Sequence, residues 1–307
     1  SSTLRCGGED RGTPMELYVM RYVLAVADAG NFSLAAQNCH VGQPALSQQV
    51  AKLEKELGVV LFSRNPRGAV LTEAGREFVM RAREILQRAQ ALQEEMSYYA
   101  GLRKGALNLG IITSLQCIDF GGMLSAFCCS YPNISVNILQ NGTHHLINLL
   151  LERKIDLAYL NRPMTELPSA LQFVKLGEDY YSLAVPSLHP LTKQEVVSLA
   201  DLKEEHFIFH QTGQVAAELC LTACRRAGFE PNIVCRSSNP TTGLYMVQGG
   251  LGVAFLPSEE FRSHSVSGVM EVKLREPIIK EVGIAWRKDA VSPLLNEAVR
   301  FSETWVR

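Results

Sequence analysis

Two short amphipathic helices separated by a three-residue turn constrain the fold of the N-terminal part more than any other feature of the sequence. The first follows Ser33, an expected N-cap, and consists largely of small residues that allow close helix contact. The second follows the turn 40–42, with Gly42 at its expected N-cap and Pro44 in its first turn, where a missing N–H costs nothing. Its apolar residues recur at helical spacing, namely Leu46, Val50 and Leu53. Two helices joined by a tight turn that contains glycine predict a helix-turn-helix.

The outer face of the second helix is polar but uncharged over its first two turns, and no acidic residue precedes Glu54 in it. It offers amides, a hydroxyl and small side chains, from Gln43, Pro44, Ala45, Ser47, Gln48 and Gln49. A helix in the major groove of DNA reads base edges through such groups, whereas carboxylates would face phosphates. Lys52 is expected at a phosphate, and Ser33 is a further candidate DNA contact. The alternative is an ordinary amphipathic helix in another helical domain.

The segment 59–72 predicts a β-hairpin, or wing, beside the helix pair. Two short strand patterns flank the turn sequence Asn65-Pro66-Arg67-Gly68. Arg64 and Arg67 belong to this turn region, which makes both candidates for contact with the DNA backbone or the minor groove. Solvated loop arginines are the alternative. The wing and the helix pair together predict a winged helix-turn-helix DNA-binding domain.

The stretch 73–104 predicts one long helix. Apolar residues separated alternately by three and four positions form a stripe that includes Phe78, Ala82, Ile85, Ala89, Leu92 and Met96. At a rise of ~1.5 Å per residue, such a helix is roughly 45 Å long. A stripe of this length must be buried, and the simplest partner is the same helix of a second copy. We therefore expect the chain to self-associate through this helix.

Strand and helix patterns alternate beyond Gly105 in two series. The strand patterns of the first series are ALNLGII, ISVNILQ and IDLAYL, and those of the second are YYSLAVPS, HFIFHQ, NIVCRSS and GVAFLP. This alternation predicts parallel strands flanked by helices. The strand EVGIAWRK and the helix that contains Trp305 are expected to return to the first series. We predict a two-lobed α/β domain, with lobe I at about 105–176 and 280–307, lobe II at about 177–279, and a ligand cleft between the lobes.

Residues 15–86 resemble the LysR-type transcriptional regulators in the stretch RYVLAVADAGNFSLAAQNCHVGQPALSQQVAKLEKELGVVLFSRNPRGAVLTEAGREF. In layout, the resemblance covers the whole chain from Met15 onward. It implies a winged helix-turn-helix over 15–72 and a linker dimerisation helix over 73–104. Over 105–307 it implies an effector-binding domain like that of periplasmic binding proteins. The family's usual Ser at position 42 is Gly here, which removes one potential phosphate contact.

The resemblance also implies a function and a set of partners. The function is sequence-specific, non-enzymatic regulation of transcription, controlled by a small-molecule effector bound between the two lobes. The implied partners are an interrupted inverted repeat of double-stranded DNA, further copies of the chain in a dimer or tetramer, and RNA polymerase. Such a regulator acts in the bacterial cytoplasm. No cofactor, catalytic residue or metal ligand is predicted.

For the effector, the same resemblance nominates residues that follow the carboxyl ends of strands, where ligands bind in this kind of fold. They are Thr113, Ser114, Leu115, Gln116, Asn161, Arg162, Gln211, Thr212, Ser237 and Ser238. Residues 113–116 are expected to open a helix, whose N–H groups suit an anion. Arg162 is the one cation among the candidates, so it favours a carboxylate-bearing effector. For each residue taken singly, the alternative is a helix cap or a loop position.

Eight cysteines are spread through the chain, at positions 6, 39, 117, 128, 129, 220, 224 and 235. Ordinary reduced thiols are expected. Cys220 and Cys224 are four residues apart in a predicted helix, and a thiol redox-sensing regulator of the same architecture stays open as an alternative. A metal site formed by these thiols with His206 or His210 is disfavoured, because neither a CxxC nor an HxxxH spacing is present.

Composition and charge narrow the remaining classes of function. Residues 15–104 contain 11 Lys and Arg against 9 Asp and Glu, whereas residues 105–307 contain 17 against 20, which places a polyanion partner on the N-terminal part. No apolar run approaches the ~20 residues of a membrane span. No signal peptide or nucleophile–base pair supports the third alternative, a solute-binding protein or enzyme. Residues 1–14 are expected to be a disordered leader or tag remnant.

Overall fold

The computed structural model describes residues 15–65, 68–99, 105–264, 266–290 and 292–306. The chain divides into two compact units, with the boundary between Gln93 and Glu94. Three regions of the sequence predictions lie outside the described residues: the leader 1–14, Arg67 in the wing turn, and residues 100–104 at the end of the linker helix.

The N-terminal unit contains the predicted helix-turn-helix and wing. Its helices are α1 (Leu17–Ala29), α2 (Phe32–Asn38), α3 (Gln43–Leu57) and the first part of α4 (Glu73–Tyr99). Its strands are β1 (Phe62–Asn65) and β2 (Gly68–Leu71), an antiparallel pair in which Phe62 faces Leu71. The prediction that Gly42 caps α3 and that Pro44 lies in its first turn is confirmed.

The expected N-cap of α2 is wrong by two residues. The helix begins at Phe32, and Asn31 caps it, because its Oδ1 atom accepts hydrogen bonds from the backbone N–H of Ser33 at 2.7 Å and of Leu34 at 3.2 Å. Ser33 therefore lies inside the first turn, where its side chain is exposed. Both residue types are good caps, and the sequence offered two of them in succession.

A single hydrophobic core holds the three short helices against the wing. It includes Val23, Val26, Leu46, Val50 and Leu61, all essentially without solvent exposure. The first turns of α4 also contribute, since Val79 is buried and Phe78 packs against this core. The predicted dimerisation stripe is exposed only in part within one chain. Ala82 is buried, Phe78 and Ala89 are half-buried, and Ile85, Leu92 and Met96 are exposed.

The C-terminal unit is built on one ten-stranded sheet flanked by helices. The strands are β3 (Gly105–Ile111), β4 (Ile134–Gln140), β5 (Leu157–Asn161), β6 (Leu171–Pro186), β7 (Val196–Val197), β8 (His206–His210), β9 (Asn232–Ser237), β10 (Val253–Pro257), β11 (Val269–Leu274) and β12 (Ile278–Arg287). The helices are α5 (Phe120–Ser130), α6 (Thr143–Leu151), α7 (Val215–Arg226), α8 (Pro240–Gln248), α9 (Ser258–Ser263) and α10 (Pro293–Trp305). Along the sheet, the main strand order is β4-β3-β5-β12-β6-β10-β8-β9.

This strand order confirms the predicted α/β fold with two parallel series. β3 pairs in parallel with β4 and β5, and β8 pairs in parallel with β9 and β10. The predicted return of the chain to the first series is also confirmed, because β12 pairs with β5 and Phe301 of α10 packs edge-on against Phe127 of α5. One core packs against the first series, and two cores pack against the second.

Two long antiparallel strands join the two lobes. β6 spans 16 residues and pairs with β12 over ten positions, from Leu171 opposite Arg287 to Tyr181 opposite Ile278. The sequence predicted only the second half of β6, starting at Tyr180. Along β6, residues up to Leu176 pack into the lobe I core and residues from Tyr181 pack into the lobe II core. The lobes therefore meet at the middle of β6 and the start of β12.

Candidate functional site

Helix α3 separates a buried face from an exposed polar face. Leu46, Val50 and Leu53 are buried in the core of the N-terminal unit, and this burial fixes the orientation of the helix. The opposite face starts at Gly42, where the helix has no side-chain cap, so that its first N–H groups are left for another partner. The positive end of the helix dipole adds to this, since helix N-termini favour phosphate groups.

The predicted DNA-contact residues are not equally accessible on α3. Gln43, Pro44, Ala45 and Gln48 are exposed, whereas Ser47 is half-buried. Gln49 is also half-buried, and its Oε1 atom accepts a hydrogen bond from the Tyr18 hydroxyl of α1 at 3.4 Å. Lys52 is largely exposed and lies 3.7 Å from the Glu56 carboxylate. The four exposed residues therefore form the accessible part of the predicted contact surface.

Arg64 lies in β1 of the wing, and its backbone is opposite Ala69 of β2. Glu54 connects α3 to the wing, and it was not among the predicted functional residues. Its Oε1 atom accepts hydrogen bonds from the backbone N–H groups of Leu61 at 2.7 Å and Phe62 at 3.1 Å. The first carboxylate of α3 is thus engaged with the wing backbone. It is half-buried and does not extend the exposed face.

The C-terminal unit contains a cavity between its two lobes, which we call the cleft cavity. Its volume is about 60 Å³. It is lined by Ile112, Thr113, Ser114, Asn141, Gly142, Thr143, Asn161, Tyr181, His210, Gln214, Val215, Ala216, Ser238, Pro240, Pro257 and Lys280. Residues up to Asn161 come from lobe I, and those from Tyr181 to Pro257 come from lobe II. A molecule in this cavity therefore contacts both lobes.

Three helices begin at the cleft cavity, namely α6, α7 and α8. The N-cap positions of α6 and α7 are Gly142 and Gln214, and neither side chain caps its own helix. The first N–H groups of a helix have no partner within it, and the helix dipole gives this end a partial positive charge. The predicted helix start at 113–116 corresponds only to a single 3₁₀ turn, Gln116–Ile118, because α5 begins later, at Phe120, and the Asp119 carboxylate caps it. The positive helix ends at the cavity come from the three other helices.

Lys280 supplies a full positive charge at the cavity and was not among the predicted residues. Its side chain is 1% exposed, and its Nζ atom donates to the Ser114 backbone carbonyl at 3.1 Å and to the Ser114 Oγ at 2.9 Å. Burial lowers the pKa of Lys280, and the nearby charges of Cys117, Asp179 and Glu260 oppose this shift. From sequence, a lysine in a strand is expected to face solvent. The residues next to Lys280 in the sequence give no sign that it is buried.

Two polar atoms of cavity-lining residues are buried and have no hydrogen-bond partner among the described residues, Asn161 Oδ1 and His210 Nε2. Burial, together with the charge of Lys280, lowers the pKa of His210 to about 4. Unsatisfied buried polar atoms are uncommon in folded proteins and each calls for a partner. The cavity is thus polar, positive at the helix ends and incomplete in its hydrogen bonding.

The predicted effector residues divide into three groups. Thr113, Ser114, Asn161 and Ser238 line the cleft cavity. Leu115 and Gln116 line a neighbouring depression next to Phe120. Outside the lining residues, Gln211 and Thr212 are exposed, and the Ser237 hydroxyl donates to the Asn239 carbonyl at 2.9 Å.

The sequence prediction of a carboxylate-bearing effector relied on Arg162. This residue does not line the cleft cavity. Its guanidinium group is 3.6 Å from the Glu281 carboxylate and lies over the Phe173 ring at 5.2 Å. Glu281 follows Lys280 along β12, and successive side chains of a strand point to opposite faces. The cation that the cavity contains is therefore Lys280.

The seven described cysteines are all free. Cys220 and Cys224 are fully buried in α7. Burial raises the pKa of the Cys220 thiol well above its usual value and that of Cys224 to about 12. His144 of α6 lies 2.9 Å from the Glu218 carboxylate of α7, which makes it an inter-lobe contact. Within the described residues, no cluster of three or more His, Cys, Asp or Glu side chains is suited to hold a metal ion, and no helix is long and apolar enough to cross a bilayer.

The two parts of the chain match two described protein families. Residues 17–76 match the bacterial regulatory helix-turn-helix protein, lysR family, and residues 100–307 match the LysR substrate binding domain. The transcriptional dual regulator GltC of Bacillus subtilis is 32% identical over 289 residues, which are 94% of this chain and 96% of GltC. The hydrogen peroxide-inducible genes activator of Dickeya chrysanthemi is 30% identical over 244 residues, 80% of this chain and 79% of that protein.

Solved structures agree with these matches. A full-length OxyR variant from Pseudomonas aeruginosa is 27% identical, with a TM-score of 0.74 over 96% of this chain and 95% of that one. Full-length CbnR in complex with its target DNA shares the fold at 24% identity, with a TM-score of 0.57 over 95% of this chain and 100% of CbnR. With one family match on the helix-turn-helix and the other on the two-lobed domain, this chain belongs to the LysR family of transcriptional regulators.

Proposed function

We propose that α3 reads a specific DNA sequence in the major groove, and that a small molecule in the cleft cavity controls this binding. The observation that carries the first half is the exposed face of α3. Gln43 and Gln48 are exposed there, and the first carboxylate of the helix, Glu54, is engaged with the backbone of the wing. A helix that reads bases in the major groove needs amide groups for the base edges and no carboxylate that would face the phosphates.

The side chains of this face suit particular base edges. A glutamine can form two hydrogen bonds with adenine in the major groove, and a small apolar side chain such as Ala45 can contact the thymine methyl group. Lys52 is suited to a phosphate. Its pairing with Glu56 is exposed, and exposed pairs of this kind contribute at most about 1 kcal/mol, so DNA can displace it at little cost.

The target we propose is an interrupted inverted repeat of double-stranded DNA, bound by two or more copies of the chain. The exposed residues Ile85, Leu92 and Met96 of α4 support self-association, because they leave an apolar stripe for a second copy of the same helix. The DNA complex of CbnR supports the DNA half of the proposal. Contact with RNA polymerase and a cytoplasmic location accompany a promoter-binding role. The relatives are regulators, which supports a non-enzymatic function.

The proposal for the effector rests on the position of the cleft cavity between the lobes. A molecule that bridges the N-termini of α6 in lobe I and of α7 and α8 in lobe II changes the free energy of lobe closure. It shifts the equilibrium between open and closed lobes only by the difference between its affinities for these two states. Thiol oxidation is less well supported as the signal. Cys220 and Cys224 of α7 are buried, and burial raises the pKa of both thiols, so they stay protonated.

Selection of genomic fragments by the purified full chain tests the DNA half. Fragments of the host genome are retained by the protein at two salt concentrations and sequenced. We expect a few interrupted repeats to survive the higher salt, because specific complexes exceed non-specific ones by about 4–10 kcal/mol at physiological salt. Uniform retention that disappears as salt rises would indicate non-specific phosphate contacts alone and would overturn the proposal.

A further inference from the structure

We propose that the cleft cavity binds a short-chain hydroxycarboxylate, with its carboxylate at Lys280 and the helix N-termini and its hydroxyl donating to Asn161 or His210. This inference rests on the proposed effector role of the cavity and adds the chemical class of the effector. Three features of the cavity lead to it: its positive charge, its two unsatisfied acceptors and its size.

The positive charge of the cavity lining favours an anion. Ser114 occupies two of the three N–H donors of the Lys280 ammonium group. The N-termini of α6, α7 and α8 border the same space. No carboxylate lies among the described residues that line the cavity. The buried carboxylates of Asp179 and Glu260 attract Lys280, but neither residue lines the cavity. Asp179 accepts hydrogen bonds from the backbone N–H groups of Tyr180 and Glu259.

The unsatisfied atom of Asn161 favours a ligand with a donor group. Asn161 is 9% exposed, and its Oδ1 atom is buried without a partner among the described residues. An amide oxygen accepts hydrogen bonds, so a carboxylate oxygen cannot satisfy it. Leaving such an atom unpaired is costly, because it has lost its hydration without gaining a partner. A ligand that carries a hydroxyl group removes this cost.

His210 imposes the same requirement. Burial and the charge of Lys280 keep its ring neutral at pH 7, with a pKa of about 4, while a hydrogen bond with the Phe255 backbone favours a proton on the ring. Nε2 is buried without a partner among the described residues, and a proton on Nδ1 suits the hydrogen bond with the Phe255 backbone. In a neutral imidazole the other nitrogen is then an acceptor. With His210 in this tautomer, both unsatisfied atoms of the cavity are acceptors, and both favour a ligand with a donor group.

The positive charge of the cavity restricts the kind of donor group, and the cavity volume restricts the size of the ligand. An ammonium group would also donate, but it would lie among Lys280 and the positive helix ends, which disfavours a second cation. A hydroxyl group is neutral and avoids the repulsion. The cavity volume of about 60 Å³ is less than half of the roughly 150 Å³ that holds benzene in an engineered apolar cavity. This comparison favours an acid with a short carbon chain.

Two matched sets of acids test the inference by isothermal titration of the full chain. The three-carbon set is lactate, pyruvate, alanine and propanoate, and the four-carbon set is the 2-hydroxy, 2-oxo, 2-amino and unsubstituted butanoates, with each hydroxy acid used as both enantiomers. We expect a hydroxy acid to bind at least tenfold more tightly than the other members of its set. Equal affinities within both sets, preference for the amino acid, tighter binding of inorganic phosphate, or binding of no acid would overturn the inference.

Variants locate the two ends of the ligand. In Asn161→Ala or, separately, His210→Phe, the advantage of the hydroxy acid over its unsubstituted analogue is expected to shrink while the affinity of the analogue is kept. Asn296→Ala, at an exposed position of α10, is the matched control and is expected to retain the advantage. Lys280→Met is expected to weaken all acids alike. An undiminished advantage in both cavity variants would overturn the inference, whereas the genomic selection reports separately on the proposed DNA function.

Discussion

Lys280 lies directly opposite Asp179 in the antiparallel pair of β12 and β6, and both side chains are almost wholly buried, at 1% and 3% exposure. The pair lies where the two strands pass from one lobe to the other. Asp179 is held by the backbone N–H groups of Tyr180 at 2.8 Å and Glu259 at 3.3 Å. A buried cation needs nearby compensation, and Asp179 supplies part of it. This arrangement keeps an ammonium group at the cleft cavity.

The stability of the C-terminal unit is expected to fall between pH 6.5 and pH 4 because of His210. Burial first, and the charge of Lys280 second, lower its pKa from 6.5 to about 4. In this interval the unfolded chain binds a proton that the folded chain does not. The contribution of His210 is therefore fully present above about pH 6.5 and decreases as pH falls, by up to about 3 kcal/mol.

Denaturant unfolding at several pH values measures this dependence. His210→Gln is expected to flatten the fall in stability between pH 6.5 and pH 4. The exposed histidine His206 provides the matched control, and His206→Gln is expected to leave the slope unchanged. A slope that is the same in both variants would show that other groups cause the fall.

Glu54→Ala is expected to loosen the wing. Two backbone N–H groups, of Leu61 and Phe62, would lose their acceptor, at a cost of about 1–3 kcal/mol. Hydrogen exchange of these two amides in the native protein measures the effect, and we expect both to exchange faster. Glu56→Ala is the control, since Glu56 contacts exposed Lys52 and its removal is expected to change stability by less than about 0.5 kcal/mol. Unchanged exchange in the Glu54 variant would contradict the bracing role.

Gly75→Ala is expected to lower the melting temperature. A Cβ atom at position 75 would lie 2.1 Å from the Leu61 backbone carbonyl oxygen, so α4 would have to move away from the chain that leads into the wing. Forced shifts of this kind cost about 1–3 kcal/mol. Gly121→Ala in α5 is the matched control, because nothing lies within 4 Å of its added Cβ. A thermal scan in which both variants melt alike would show that α4 accommodates the methyl group freely.

Peroxide is expected to leave DNA binding unchanged. Cys220 and Cys224 are buried on successive turns of α7, and burial raises their pKa values, to about 12 for Cys224. Oxidation proceeds through the thiolate, so these residues should react slowly. The exposed Cys128 and Cys129 are replaced by serine in a control variant, so that their reaction is not mistaken for a signal. A loss of affinity for the selected DNA that reductant reverses would favour the redox alternative.

The sequence predicts α3 well because its signals are local. Gly42 at the N-cap, Pro44 in the first turn and the buried positions at helical spacing all lie within a few residues of one another. The first half of β6 was missed for the opposite reason. Its residues 171–179 mix apolar and charged side chains, and what holds them in a strand is β12, about a hundred residues further along the chain.

The cleft shows the same contrast. Strand ends are visible in the sequence, and Ser114 and Asn161 were predicted from them and line the cavity. The sequence predicted Arg162 as the positive charge at the effector site. In the structure, Lys280 lines the cavity and Arg162 lies beside Glu281. Burial of Lys280 depends on its register opposite Asp179 and on Ser114 of a distant loop. No single stretch of sequence contains this information.

The affinity of Gln48→Ala for the selected DNA repeats tests the central claim most directly. Gln48 is exposed on α3, so its removal should leave the fold intact, and the exposed Gln172 of the C-terminal unit provides the control variant Gln172→Ala. If α3 reads bases, Gln48→Ala loses about 1–3 kcal/mol of specific binding while non-specific binding and its salt dependence stay the same. Specific affinity equal to that of Gln172→Ala would mean that Gln48 makes no base contact and would contradict the assignment of α3 as the reading helix.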